Sequence, residues 1–505
     1  MALVVTAPAT QAGARPVRGV APGGPMRGVA RGGLANLAGS AFTGAAGLGT
    51  TWLVAHGLGA HGAGGFFTAT AVFVVATGVA KLGTQTSLVY WPARLRALGT
   101  PELVGRCLRI GLVPVAVASV LTGAALWQAG GLVAVLAPVL PAAALSDAVL
   151  AATRGYRSMR PTVGYDRILR PALQLAGLGT LWLVHGSPEA FALAWALPYV
   201  PTLALGVRAL RALAGHSAAA PADPGGFTAR AFWEFSAPRA LAGVAQLALQ
   251  RVDVVLVAAL AGLPAAALYT VAGRFVIAGQ FVNQAISQAV QPRLAESLAT
   301  GDAEVARTLY QRATCWLVLA TWPLYLLVAG YAPVYLALFG GHYAGAATIT
   351  AVLAATMLVA TACGMVDMVL AMAGRTRWNL GNVVAALAVT VVADVTLIPR
   401  YGALGAALGL AAAVLTNNLL PLAQIGYALR LHPFGAGTRV AGLLAVACFG
   451  VPALVTRIVV GDRPTVLAAA GAAVTVAGAV GYVGAAYPLR RPLGLLFPGP
   501  GKEKS

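Results

Sequence analysis

Apolar stretches of helix-spanning length follow one another from about residue 34 to about residue 487, separated only by short polar breaks. A run of roughly 18 or more mostly apolar residues is long enough to cross a hydrocarbon core of about 30 Å as a helix. The pattern predicts about 14 transmembrane helices, over 34–56, 65–89, 108–129, 132–153, 167–185, 189–209, 236–261, 265–290, 310–331, 346–372, 379–398, 403–429, 439–459 and 464–487. Residues 1–33, rich in Ala, Gly, Pro and Arg, read as a disordered cytoplasmic arm, 211–235 as a cytoplasmic linker and 488–505 as a cytoplasmic tail.

Composition agrees with a membrane protein. Hydrophobic residues make up 59% and charged residues 10%, against about 25% charged in soluble domains. The 61 glycines and 30 prolines are tolerated in membrane helices, where neighbours satisfy the freed backbone groups. The net charge of +20 raises the question of nucleic acid, but its distribution answers it. Most of the 34 basic residues fall in alternate breaks, such as Arg94, Arg96, Arg106 and Arg109, or Arg154, Arg157 and Arg160. The opposite side carries only Arg400, Arg457 and Arg463. Such a bias places the basic breaks and both termini in the cytoplasm of a multi-pass cell-membrane protein. The expected surroundings are membrane lipids, with no nucleic acid.

The four cysteines lie far apart, with no CxxC and no histidine at metal-ligand spacing, so neither a metal nor a cofactor is expected. The breaks leave no room for a catalytic domain, which argues against an enzyme.

The first predicted hairpin resembles the seventh and eighth helices. Leu53, Val54 and Ala55 align with Leu256, Val257 and Ala258, and Gly59 with Gly262. In the first helix Asn36, Ser40, Thr43 and Thr50 share one face; in the seventh Arg239, Gln246, Gln250 and Asp253 do. Asn36, Thr43 and Thr50 align with Arg239, Gln246 and Asp253, so the two stripes are in register. A polar stripe on a membrane helix faces the bundle interior or a wet cavity. The expected fold is therefore an all-α membrane protein with two six-helix lobes, 34–210 and 236–430, around a central cavity. An extra helix pair over 431–487 completes it.

Charges within the spans cost about 2.5–3.5 kcal/mol each near the bilayer centre, so they mark candidate sites. Asp253 and Arg274 fall at similar depth on adjacent helices, roughly 15 Å from the turn between them. Two readings stand: an ion pair that locks the hairpin, or a cavity pair in which Arg274 meets an anionic substrate. Lys81 either snorkels to the cytoplasmic interface or lines the inner mouth of the cavity. Arg251 points to another face than Asp253. Asp147, Asp367 and Asp394 are expected at hydrated helix ends, and Asn417 and Asn418 to bridge helices.

The segment His56–Ala97, with its LG…G.F turn and basic end, resembles the first hairpin of the bacterial polysaccharide flippases. These are oligosaccharide-lipid translocases of the multidrug/oligosaccharidyl-lipid/polysaccharide exporter superfamily. Asp253 with Tyr269–Arg274, Gln291–Ala295, Phe339–Tyr343 and Ile398–Ala407 resemble further motifs of that family, in its order and spacing. The resemblance implies a two-lobed, alternating-access transporter with a cationic cavity. The implied substrate is a polyprenyl-diphosphate-linked oligosaccharide, flipped from the inner to the outer leaflet for surface polysaccharide synthesis. A polysaccharide polymerase and glycosyltransferases are the implied partners. On this reading Arg274, Asp253, Gln250, Gln246, Lys81 and Arg239 line the substrate cavity. Two alternatives remain: a multidrug or organic-cation antiporter of the same superfamily, and a membrane glycosyltransferase or polymerase.

Reporters fused after His61 and after Gly341 are expected to report a location outside the cytoplasm. A cytoplasmic signal at either position would overturn the predicted topology.

Overall fold

The computed structural model describes residues 24–214, 227–461, 463–490 and 493. Most of the expected arm and tail, and the middle of the expected linker, lie outside the described residues. Among these residues there are helices and turns and no β-strand.

The first half of the chain forms α1 (Gly24–Ala80), α2 (Thr84–Ala97), α3 (Glu102–Trp127), α4 (Gly131–Leu136), α5 (Leu140–Gly155), α6 (Arg170–Leu183), α7 (Pro188–Ala196) and α8 (Tyr199–Ala214). The second half forms α9 (Ala229–Ala261), α10 (Leu263–Ala272), α11 (Val276–Ala299), α12 (Ala303–Gly330), α13 (Ala332–Ala337), α14 (Ala347–Ala362), α15 (Val366–Met372), α16 (Thr376–Tyr401) and α17 (Ala403–Leu429). The final group is α18 (Ala436–Ala445), α19 (Val451–Val460) and α20 (Pro464–Ala486). Residues 24–33, expected in the arm, are the start of α1.

By length and composition, eleven of the described helical segments can cross a membrane, or twelve if α10 and α11, bent by 44°, count as one span. The difference from about 14 has a physical origin. The segment Ala38–Ala97 holds the first two expected spans, which meet at Gly59 (φ 62, ψ −176), a conformation only glycine adopts without strain. The fifth expected span, 167–185, holds an α-helix of only 14 residues. Gly262, the partner of Gly59 in the sequence repeat, takes nearly the same conformation as Gly59 (φ 88, ψ 167). The repeat seen in the sequence is thus matched by a shared backbone break.

Several starts are capped as their sequences require. Ser187, Thr228 and Asp302 accept from the amides of Ala190, Ala231 and Val305. One apolar core runs through both halves, from Phe66, Phe73 and Leu88 through Phe232 and Tyr269 to Tyr325 and Tyr343. Outward faces are apolar as well: Leu121, Leu183, Leu443 and Val459 are exposed, as lipid-facing positions must be.

Helices from the two halves approach most closely through glycine. A Cβ on Gly64 of α1 would overlap the carbonyl oxygen of Leu263 at the start of α10, and small residues allow such backbone approach. Gly64→Ala is therefore expected to lower the midpoint of thermal unfolding in detergent, by an overpacking cost of about 1–3 kcal/mol. Gly47→Ala, where a Cβ meets nothing within 4 Å, should leave the midpoint unchanged.

Candidate functional site

A cavity of about 490 Å³ opens among helices of the second half of the chain. The stripe on α9 supplies Gln246, Gln250 and Asp253; the bend between α10 and α11 supplies Arg274 and Gln280; α17 closes it with Asn417 and Asn418. Four of the six expected cavity residues, Arg274, Asp253, Gln250 and Gln246, are thereby brought together.

Lys81 and Arg239 are not on this wall. Lys81 Nζ lies 2.7 Å from the Asp147 carboxylate, an ion pair joining α5 to the end of the α1 segment. Gln85 donates to the same carboxylate at 3.4 Å. Neither group is therefore the independent interfacial charge expected of it. Arg239 is exposed; its guanidinium sits 3.6 Å from the Phe235 ring centroid and donates to the Phe235 carbonyl at 2.6 Å. That position is one turn away on its own helix, so it is held locally.

Of the two readings of Asp253 and Arg274, the ion pair that locks the hairpin is not formed. One Asp253 oxygen accepts from the Tyr269 hydroxyl, and the other from the Val254 amide at 2.8 Å. Asp253 is 5% exposed and fully occupied by these donors. Arg274 makes no hydrogen bond or ion pair among the described residues, and its Nε is buried without an acceptor. Its guanidinium lies 5.9 Å from the centroid of the Phe67 ring of α1.

Arg251 also lines the cavity, against the expectation that it faces elsewhere, and its Nε is likewise buried and unpartnered. Arg251 and Arg274 are near enough to repel each other. Counted along the helices from Gly262, both sit at about the same depth, roughly 16–18 Å. Two guanidiniums that make no ion pair, with Arg251 in electrostatic range of Asp253, share one partly desolvated space and form an anion site. Paired N–H donors of this kind match phosphate oxygens bidentately.

Asp394 was expected at a hydrated helix end, yet it is 0% exposed and neither oxygen has a hydrogen-bond partner. Gly409 of α17 packs directly on its carboxylate, where no side chain would fit. The carboxylate lies in electrostatic range of Asp253 and Tyr269. A proton or small cation would relieve the burial of such charges. Asp367 does line the cavity, from the first turn of α15. Asn417 and Asn418 do not bridge helices: Asn418 bonds Val414 of its own helix at 2.8 Å, and the Asn417 oxygen is unpartnered. The helix-bridging amides are Asn382 and Gln424, joined by reciprocal bonds of 2.8 and 2.9 Å.

The sequence reading missed Arg251, Tyr269, Gln280 and Asn283. For the last two a signal existed, since Gln280, Asn283 and Ser287 follow +3 and +4 on one helical face. For Arg251 there was none, because the cavity is wider than one helical stripe.

Tyr269→Phe is expected to destabilise the protein by about 1–3 kcal/mol, because it leaves a buried carboxylate oxygen unsatisfied. The effect should shrink in an Asp253→Asn background, where the same bond is already weakened. Thermal unfolding midpoints of the four proteins in detergent check this.

Comparison with known proteins places these observations. The sequence model of the polysaccharide biosynthesis protein family matches residues 195–348, a stretch that includes α9, α10 and α11. No curated protein matches the sequence. Among solved structures, the lipid II flippase MurJ in an inward closed conformation superposes with a TM-score of 0.67 at 11% identity, covering 90% of this chain and 98% of its own. An inward-facing multidrug resistance MATE transporter of the MOP superfamily gives 0.57 at 14% identity, over 79% and 94%. A MOP superfamily transporter from Pyrococcus furiosus, described as having a binding pocket of reversed polarity, gives 0.52 at 16%, over 81% and 97%. The chain has the multi-pass fold of the MOP-superfamily flippases and transporters, and the resemblance read from the sequence holds at that level.

Proposed function

We propose that this protein is a transporter that flips a polyprenyl-diphosphate-linked oligosaccharide from the inner to the outer leaflet of the cell membrane. It does so by alternating access and without covalent chemistry. The observation that carries this reading is the pair of unpartnered guanidiniums, Arg251 and Arg274, on the wall of one cavity. Each buried unpaired charge costs free energy at this depth, so its natural partner is a ligand of opposite sign. A diphosphate supplies four or more oxygens to two planar forks, while its lipid tail stays among hydrocarbon. The family match and the shared fold support the same substrate class.

Both termini are cytoplasmic in this reading, and the headgroup enters from the side where the basic breaks cluster. Glycosyltransferases that build the headgroup and a polymerase that consumes it are the implied partners. Lys81 and Arg239, expected on the cavity wall, take structural roles at other places.

The organic-cation antiporter weighs less. A cation carrier wants free carboxylates facing the ligand, yet Asp253 is capped by Tyr269 and Asp394 is sealed under Gly409. Of the two carboxylates on the cavity wall, Asp253 and Asp367, only Asp367 is not tied to a buried hydroxyl. An enzyme reading finds no catalytic constellation on the cavity wall.

Arg274→Ala is expected to reduce translocation at least tenfold, a loss of about 1.4 kcal/mol or more of binding, with normal abundance in the membrane. Because Arg274 holds no carboxylate, adding Asp253→Ala should not restore transport. The measurement is the fraction of glycan lipid left facing the cytoplasm in a deletion strain complemented with each variant. Normal surface polysaccharide in the deletion strain, with new sensitivity to dyes or drugs, would establish the antiporter instead.

A further inference from the structure

The cavity carries a second chemistry that the arginines do not explain. Gln246, Gln250 and Gln280 project onto its wall and make no hydrogen bond among the described residues. Asn417 adds an unpartnered carbonyl oxygen, and Asn283 faces the same space, accepting only a long bond of 3.4 Å from Ser287. Elsewhere in this half of the chain, two amides off the cavity wall satisfy each other reciprocally: Asn382 and Gln424. The contrast is informative. Asn382 and Gln424, which serve packing, pair with each other; on the cavity wall Asn418 is tied to Val414 of its own helix, while Gln246, Gln250 and Gln280 are open.

Their positions are ordered. Counted from Gly262, Asp253 is nearest, Arg251, Gln250 and Arg274 are next, and Gln246, Gln280 and Asn283 lie progressively farther along the helices. Asp367, in the first turn of α15, adds a carboxylate to the wall. Beyond the arginines the wall is therefore a band of neutral amides with a single carboxylate. Among its lining residues no basic side chain other than Arg251 and Arg274 is present.

A carboxamide offers donors and an acceptor together, which suits the mixed donor and acceptor character of sugar hydroxyls. It gives a carboxylate no counter-charge, and Asp367 repels one. We propose that this amide band is the subsite for the sugars next to the diphosphate, and that it selects uncharged sugars over uronic acids. The inference rests on the diphosphate reading of Arg251 and Arg274 and extends it to the class of headgroup.

The test uses the full-length protein in nanodiscs and three lipids: bare polyprenyl diphosphate, the same lipid carrying a neutral hexose disaccharide, and the same lipid with a hexuronic acid attached to the phosphate. Two or three additional hydrogen bonds make the neutral glycolipid bind about tenfold tighter than the bare lipid. The uronate lipid should lose that gain. In the Gln280→Leu/Asn283→Leu double variant, the neutral glycolipid should fall to the affinity of the bare lipid, whose own affinity stays constant and reports an intact fold. Asp367→Asn should bring the uronate lipid closer to the neutral one. A sugar gain that survives the double variant, or a uronate lipid that binds wild type as tightly as the neutral one, overturns the subsite. Failure of bare polyprenyl diphosphate to bind, or binding untouched by Arg274→Ala, is a different result: it overturns the diphosphate reading, and the subsite with it.

Discussion

A guanidinium without a counter-charge in the middle of a membrane-spanning bundle constrains everything around it. At about 2.5–3.5 kcal/mol for each such charge, Arg251 and Arg274 together demand a wet cavity, and the neighbouring helices must hold one open. They do so through their breaks. The bend at Gly273–Phe275 turns Arg274 inward, Gly262 reverses the chain so that α9 and α10 face the same space, and the second-half core of Tyr269, Tyr325 and Leu353 walls it off. Other charges deep in the bundle are treated in the opposite way. Lys81 is paired with Asp147, and Arg170 with Asp166 and the Tyr199 hydroxyl. These charges hold helices together and find partners, whereas Arg251 and Arg274 are left open on the cavity wall.

The two repeats show how one architecture carries two chemistries. Thr43 aligns with Gln246, and Thr50 with Asp253. In the first half the stripe is turned to packing: Thr43 donates to the carbonyls of Gly39 and Arg167, and Arg167 donates to Ser40. In the second half the same register carries longer polar side chains that reach a cavity. A hydroxyl satisfies itself on a nearby carbonyl one turn back. A glutamine reaches past that carbonyl and stays available. The conformational match at Gly59 and Gly262 shows that the backbone plan was kept while the side chains diverged.

The fold was legible because hydrophobic periodicity over some twenty residues is a strong signal and the membrane allows few alternatives. The span count was less so: the break at Gly59 falls where the polar pattern puts it, but the fifth expected span, 167–185, holds an α-helix of only 14 residues. The α9 stripe gave Gln246, Gln250 and Asp253, because side chains three or four apart share a face whatever the tertiary structure. Partnerships were not legible. The partner of Lys81 lies 66 positions away, and the capping of Asp253 by Tyr269 depends on the hairpin geometry set by Gly262. Asp394 looked hydrated because it is near a helix end, but the absence of a side chain at Gly409 lets two helices close over it. Burial of that kind is decided by the neighbouring helix, not by distance along its own.

Arg274 also sits where the two halves of the chain meet, with its guanidinium over the Phe67 ring of α1. A cation–π contact is worth about 0.5–2 kcal/mol depending on desolvation, and charge-assisted hydrogen bonds to an anion are stronger and directional. An occupant of the cavity and the aromatic ring of the opposite half therefore compete for one group. Ligands shift a conformational balance only through contacts that differ between its states. In this protein the group with the greatest unmet demand for an anion is also a contact across the interface that alternating access would have to open. The two demands fall on one side chain because its helix bends there: a straight helix would have placed Arg274 against Phe67 or in the cavity, and the break before α11 lets it serve both.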